Sequence, residues 1–198
     1  MSGTLPWYVA RASGLVAWGL LAGSVVWGLL MTSKVIRRFV RSSWLLDLHR
    51  WLGGLALVFT GVHVLAVLGD KYIHFGLASV LVPLAAKWHP VAVAYGIASL
   101  YLLVAIELTS LLRRRINRKL WRRVHFLSFA LFVSSTVHGL TAGTDSRVPM
   151  VVITVVLVGA AVAALTAVRV AGARPPAPAP ARPNPAPARP NPAPARAE

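Results

Sequence analysis

The chain has 198 residues, of which 57% are hydrophobic and only 13% are charged. Soluble domains contain about 25% charged residues, so this composition excludes an ordinary soluble protein. The charge is one-sided, since 21 Lys and Arg residues face 5 Asp and Glu residues and give a net charge of +16. Cysteine is absent, which excludes disulfides, iron–sulfur clusters and thiolate catalysis.

Five apolar segments are each long enough to cross a bilayer, which takes about 20 residues. They lie at about 12–32, 44–68, 91–112, 121–142 and 148–168. The first is longer than the apolar core of a signal peptide and no clear cleavage site follows it, so we expect a retained helix. The sequence therefore predicts an all-α integral membrane protein, a bundle of about five transmembrane helices within residues 1–171.

The basic residues indicate the orientation of these spans. Four lie between spans one and two, seven lie between spans three and four, and only Arg11, Lys71, Lys87 and Arg147 lie on the other side. Short loops rich in Lys and Arg stay on the cytoplasmic side during insertion. We therefore expect a multi-pass protein whose N-terminus is outside and whose C-terminus is cytoplasmic.

Two segments do not fit the pattern of a spanning helix. The connection 69–90 contains an apolar run, 74–86, that is too short to span and is interrupted by Pro83, so an interfacial or re-entrant segment is expected. Residues 172–198 contain ten of the 14 prolines and repeat the motif ARPNPAP. Such a Pro/Ala/Arg-rich tail is predicted to be extended and disordered.

Four of the six histidines form two pairs on parallel spans. His49 and His63 are 14 residues apart on span two, and His125 and His138 are 13 apart on span four. His49 and His125 are therefore expected at an inner level, and His63 and His138 at an outer level about 20 Å away. Ionisable groups inside a membrane are usually functional, and imidazole is the commonest metal ligand.

Two histidines per level favour haem over a bare metal ion. Zinc takes four ligands, whereas a haem iron already has four porphyrin nitrogens and needs two axial ligands. Other interpretations are histidines that only hydrogen-bond neighbouring helices, a haem-free metal or proton transporter, and a haem-free scaffold that presents the basic tail to a partner.

Helical phase adds one structural expectation for span four. In a regular α-helix, a side chain 14 residues further on points within about 40° of the first, whereas one 13 residues further on points about 140° away. His125 and His138 can both face span two only if their helix is irregular between them. We place this irregularity at residues 134–136, Ser-Ser-Thr, because such hydroxyls bond the i−4 carbonyl and bend helices.

Charged residues near the inner level are candidates for a supporting role. Arg50, Arg122 and Arg123 flank the inner histidines and are candidates to pair with haem propionates. Glu107 is expected to pair with one of these arginines, and Asp47 with Arg50.

Small residues and two further histidines complete the set of candidates. Four glycines would leave room for a porphyrin face, or simply allow close helix packing. They are Gly53, Gly54, Gly61 and Gly139. His74 and His89 lie in the outer connection and are candidates to bind an acceptor or a metal ion.

Two segments resemble the ferric reductase-like transmembrane domain, a family that includes the membrane parts of NADPH oxidases, ferric reductases and the haem-binding subunit of bacterial methionine sulfoxide reductase. They are LHRWLGGLALVFTGVH (48–63) and WRRVHFLSFALFVSSTVHGLTAGTD (121–145). The family pattern is H-x13-H on one helix and H-x12-H on the next but one, and both spacings occur here. The resemblance covers about residues 12–170 and looks most like actinobacterial members.

The resemblance implies two b-type haems, one ligated by His49 with His125 and the other by His63 with His138. It also implies the bacterial cell (inner) membrane and electron transfer from a cytoplasmic donor to an outer acceptor, a protein or an ion. No Rossmann signature is present, so a separate flavoprotein or quinol is expected to supply the electrons. A quinol-oxidising cytochrome b that anchors a larger complex is the alternative, and nucleic acid is not an expected partner.

Overall fold

The computed structural model describes residues 5–31, 42–70 and 75–172, and this part of the chain is helical without any strand. The elements are α1 (Leu5–Met31), α2 (Ser42–Gly69), α3 (Leu77–Leu81), α4 (Pro90–Leu111), α5 (Arg118–Phe126), α6 (Ser128–Ala142), a 3₁₀ turn (Thr144–Arg147) and α7 (Pro149–Ala171). Five stretches are long and apolar enough to span a membrane, with α5 and α6 together forming the fourth. The predicted all-α bundle of five spans is confirmed.

The helices pack as two antiparallel pairs, α1 against α2 and α4 against α6. Helix α7 packs against α1. The buried core that these helices share consists of Leu21, Ala22, Val25, Leu29, Ala56, Leu103, Ile106, Leu131, Phe132 and Val162. Large apolar side chains such as Leu65, Leu111 and Val168 cover the outside. An apolar exterior suits a lipid environment, in which the helices satisfy their own backbone hydrogen bonds.

The first span begins earlier than predicted, and this changes the position of Arg11. Helix α1 begins at Leu5, so Arg11 lies within the helix and not in a loop before it. Its guanidinium forms a two-pronged ion pair with Asp145, which is buried in the 3₁₀ turn. The boundary was misplaced because the distant partner that accommodates this charge on α1 cannot be seen in the local sequence.

An irregularity does interrupt span four, but it lies at Leu127 and not at residues 134–136. Helix α5 ends at Phe126, and the Leu127 N–H donates to the Val124 carbonyl at 3.0 Å, which is a three-residue turn. A turn with three residues per turn overwinds the helix by about 20° per residue. This overwinding reduces the phase error between His125 and His138.

The hydroxyls of Ser135 and Thr136 do donate to the Phe132 carbonyl, at 3.0 and 2.7 Å, but the helix continues unbroken from Ser128 to Ala142. Hydroxyls of this segment also bond neighbouring helices. Ser134 Oγ donates to the Tyr95 carbonyl of α4 at 2.8 Å. Thr136 Oγ1 accepts a hydrogen bond from the Trp18 indole of α1 at 2.9 Å. Helix α6 is therefore bonded to two neighbours through the segment that was expected to bend it.

The outer connection contains the short helix α3 followed by turns that lead into α4. Leu84 and His89 have positive φ values of 68° and 41°, and the apolar side chains of Leu77, Val82 and Leu84 are exposed. This exposure is in keeping with the expected interfacial segment. The predicted disorder of the tail from residue 173 onwards, and His74, lie outside the described residues.

Candidate metal centres

Two pairs of imidazoles face each other between α2 and the α5–α6 span. The ring centres of His49 and His125 are 5.9 Å apart with planes at 77°, and those of His63 and His138 are 6.2 Å apart with planes at 81°. The structure thus brings together the two pairs that the spacing in the sequence indicated. In each pair the two ring planes are nearly perpendicular.

The outer pair is held by two short hydrogen bonds to backbone carbonyls of other helices. His63 Nδ1–H donates to the Ala10 carbonyl at 2.7 Å, and His138 Nδ1–H donates to the Ala92 carbonyl at 2.8 Å. A carbonyl only accepts, so Nδ1 carries the proton in both rings. The lone pair is then on Nε2, the arrangement that second-shell hydrogen bonds impose on metal-binding histidines.

The inner pair is held more loosely. His49 Nδ1 lies 3.2 Å from both the carbonyl and the hydroxyl oxygen of Ser24. His125 Nδ1 is buried and has no hydrogen-bond partner in the described part of the chain, and the same holds for Trp121 Nε1. The indole of Trp121 stacks on the His125 ring with centres 5.1 Å apart and planes at 20°. An aromatic face therefore orients His125.

Three glycines that sequence reasoning missed let imidazoles approach helix backbone. A Cβ on Gly14 would lie 2.9 Å from His63 Nδ1, one on Gly96 would lie 2.7 Å from His138 Cε1, and one on Gly28 would lie 3.3 Å from His49 Cε1. A signal for two of them was present, because Gly14 and Gly28 are separated by 14 residues, as are His49 and His63.

The glycines that the sequence indicated as candidates do not contact the paired histidines. Gly53 packs against the carboxylate of Glu107, whereas a Cβ on Gly54, Gly61 or Gly139 would meet nothing within 4 Å. The last three leave open space beside α2 and α6. Their role beside a porphyrin stays a prediction.

The charged candidates are only partly where they were expected. Arg50, Arg122 and Arg123 are exposed near the inner level, and Arg50 pairs with Asp47 at 3.6 Å as predicted. The prediction for Glu107 is wrong, since no ion pair links it to an arginine among the described residues. Its carboxylate lies against Gly53 of α2. Propionate pairing by the three arginines stays a prediction.

His89 lies at the outer end of α4, three residues before Ala92, whose carbonyl bonds His138. It precedes the helix in a left-handed conformation, and its ring contacts Trp88 with centres 4.4 Å apart. With Tyr95 and Thr141 it borders an open cavity of about 350 Å³. Its predicted role in binding an acceptor or a metal ion stays a prediction.

The residues of each pair fit the axial positions of a haem iron. With metal–imidazole bonds of about 2 Å, two nitrogens on opposite sides of one metal are about 4 Å apart and their ring centres about 6 Å apart. The observed separations of 5.9 Å and 6.2 Å match this value. No group of three or more potential ligands among His, Cys, Asp and Glu occurs in the described residues, so each level offers two donors.

Fold and site together define a multi-pass membrane protein with two facing histidine pairs at different depths. The profile of the family described as ferric reductase like transmembrane component matches residues 13–136. The match covers more than half of the chain, so the protein belongs to this family, as the sequence resemblance indicated. The matched region includes His49, His63 and His125 and ends just before His138. Searches of curated proteins and of solved structures found no significant match.

Proposed function

We propose that this protein transfers electrons across a bacterial cell membrane through two b haems, one bound by His49 with His125 and the other by His63 with His138. The observation that carries the proposal is the geometry of the two pairs, whose rings face each other at the spacing of axial ligands. Membership of the ferric reductase-like family supports the same function.

The haem supplies a reversible one-electron change at its iron, and the protein supplies ligation and burial. The carbonyls of Ala10 and Ala92 accept the Nδ1–H bonds of the outer histidines. Such bonds orient an imidazole and raise its basicity at Nε2. At the outer level the protein therefore holds two strong nitrogen donors in position before any cofactor enters.

The two levels are separated by an apolar part of the bundle. The step of 14 residues from His49 to His63 covers about 21 Å of helix. Ala56, Leu131 and Phe132 are buried in this region, and Trp18 is stacked on Phe132 with centres 6.4 Å apart. Side chains of this kind exclude water and stabilise the close packing that keeps the levels at a constant distance.

The proposed direction of transfer follows from the basic residues. The turn after α4 and the start of α5 carry seven Lys and Arg residues within 113–123, close in sequence to His125. The positive-inside rule assigns this end to the cytoplasm. The inner pair would then receive electrons from a separate flavoprotein or from quinol, and the outer pair would pass them to an outer protein or ion.

The spectrum of the purified protein tests the proposal. We expect a b-type α-band in the reduced-minus-oxidised spectrum and two haems per chain by the pyridine haemochrome assay. A colourless protein purified from haem-supplemented cells would contradict the proposal. A stoichiometry of one haem would show that one of the two pairs is not a haem site.

Transfer itself is tested in lipid vesicles that enclose ferricyanide and receive dithionite from outside. Vesicles that contain the protein should lose internal ferricyanide faster than protein-free vesicles. If loss of ferricyanide requires an added quinol, the quinol-oxidising alternative is favoured.

A further inference from the structure

Three of the four paired histidines share one supporting arrangement. In each case the imidazole packs on a glycine of a neighbouring helix, and its Nδ1 lies within hydrogen-bond distance of the carbonyl four residues before that glycine. The three sets are Ala10 and Gly14 with His63, Ser24 and Gly28 with His49, and Ala92 and Gly96 with His138.

Helix geometry explains why the carbonyl and the glycine occur together. In an α-helix the carbonyl of residue i points along the axis toward residue i+4. The side chain of residue i+4 leans back over the preceding turn and covers this carbonyl. A glycine at i+4 leaves the carbonyl open to a second donor, and it leaves room for the flat face of a ring.

Building on the proposed function, we propose that Gly14, Gly28 and Gly96 are positioning residues for the haem ligands. Each glycine lets one imidazole approach the helix backbone, where a carbonyl accepts a hydrogen bond from Nδ1–H. This bond keeps the proton on Nδ1 and leaves the Nε2 lone pair free for the iron. His125 is the one ligand that lacks this support, and Trp121 stacking takes its place.

The position of the missing fourth support follows from the helical repeat. On α1 the two supporting units, 10–14 and 24–28, are 14 residues apart and therefore lie on nearly the same face. The same step along α4 leads from 92–96 to 106–110. At this position the chain has Ser110 where the other units have glycine.

A neighbouring hydroxyl does not set this fourth unit apart. Thr109 Oγ1 donates to the Ala105 carbonyl at 2.7 Å and lies 3.1 Å from the Ile106 carbonyl. Ser13 Oγ likewise donates to the Val9 carbonyl at 2.6 Å and lies 3.2 Å from the Ala10 carbonyl, which still bonds His63. The difference between the units is therefore the Cβ at position 110. The buried and unpartnered Nδ1 of His125 is the expected consequence.

The first test compares glycine-to-alanine variants on one helix. Gly14→Ala should reduce the haem content from two per chain to about one, with loss of the outer centre, because the new Cβ meets His63. Gly19→Ala and Gly23→Ala are matched controls, since a Cβ at either position meets nothing within 4 Å. Both controls should keep two haems and the low-spin electron paramagnetic resonance signals of the parent.

Variants of Gly96 and Gly28 test whether each glycine affects only the histidine pair that it contacts. Gly96→Ala should act on the outer centre as Gly14→Ala does, whereas Gly28→Ala should perturb only the inner signal and by less, because its contact is longer. Two haems and unchanged spectra in Gly14→Ala and Gly96→Ala would refute the positioning role and leave the proposed function intact. Loss of both haems in Gly14→Ala alone would refute its specificity, and a colourless parent protein would overturn the proposed function.

A second test builds the missing support. Ser110→Gly removes the Cβ and opens the backbone beside the Ile106 carbonyl. The reduction potential of the inner haem should fall, since a more basic imidazole favours the ferric state, and that of the outer haem should stay constant. Ser110→Ala retains a Cβ and should leave both reduction potentials at their parent values. Equal shifts of the inner potential in the two variants would show that the carbonyl does not reach His125.

Discussion

The outer and inner histidine pairs are alike in spacing but are supported in different ways. At the outer level both rings donate short hydrogen bonds to carbonyls and rest on glycines, and the ion pair of Arg11 with Asp145 ties α1 to the 3₁₀ turn. At the inner level one ring makes a longer contact with Ser24 and the other stacks on Trp121. Backbone carbonyls therefore support both rings of the outer pair, but only His49 of the inner pair, and at a longer distance. Substitutions should accordingly affect one level at a time.

Removing one ligand from each level should have the largest effect. His63→Ala should eliminate the outer haem and His49→Ala the inner one, with about one haem per chain left in each variant, because a centre with one axial ligand binds haem far less tightly. Haem content and low-temperature reduced-minus-oxidised spectra measure this. If either variant loses both haems or neither, the two levels are not independent sites as paired here.

Breaking the outer ion pair should have the next largest effect. Asp145→Asn leaves the Arg11 guanidinium on α1 without its partner charge, so we expect a lower midpoint of thermal unfolding and earlier release of the outer haem on heating. Asp47→Asn is the matched control at the inner level. Asp47 and Arg50 are both more than half exposed, and exposed pairs contribute little. Equal decreases of the unfolding midpoint in Asp145→Asn and Asp47→Asn would contradict the stronger contribution expected from the outer ion pair.

The smallest effect is expected from a substitution in the packed region between the two histidine pairs. Thr136→Val removes the acceptor of the Trp18 indole, and hydrogen bonds between membrane helices are worth about 0.6 kcal/mol on average. The free energy of unfolding in mixed micelles should fall by about this amount while both haem spectra stay constant. Thr154→Val is the control, because its hydroxyl donates to Met150 within its own helix. A change in either haem spectrum would show that this bond also positions a ligand.

Some features of the site could be predicted because they depend on local patterns. The spans follow from apolar length, and the depth of His49, His63, His125 and His138 follows from the rise per residue. The pairing then requires only that spans two and four run in the same direction. The 13-residue spacing of His125 and His138 also predicted an irregular fourth span, because a regular helix would point the two side chains in different directions.

Other features depend on which helices become neighbours, and no local pattern contains that information. The irregularity lies at Leu127, whereas the segment that was expected to bend stays helical and bonds α4 and α1 through Ser134 and Thr136. Arg11 belongs to α1 because Asp145, 134 residues away, pairs with it.

The supporting glycines show the same division most clearly. Gly14 and Gly28 are visible in the sequence as small residues on one face of a helix, a pattern that close packing explains equally well. Only the packing of α1 along α2 turns each of them into a place where an imidazole meets a carbonyl. The apolar composition and the histidine spacing therefore determine the five helical spans and which histidines share a level. The contacts between helices decide how firmly each histidine is held, because that depends on backbone groups brought together from distant parts of the chain.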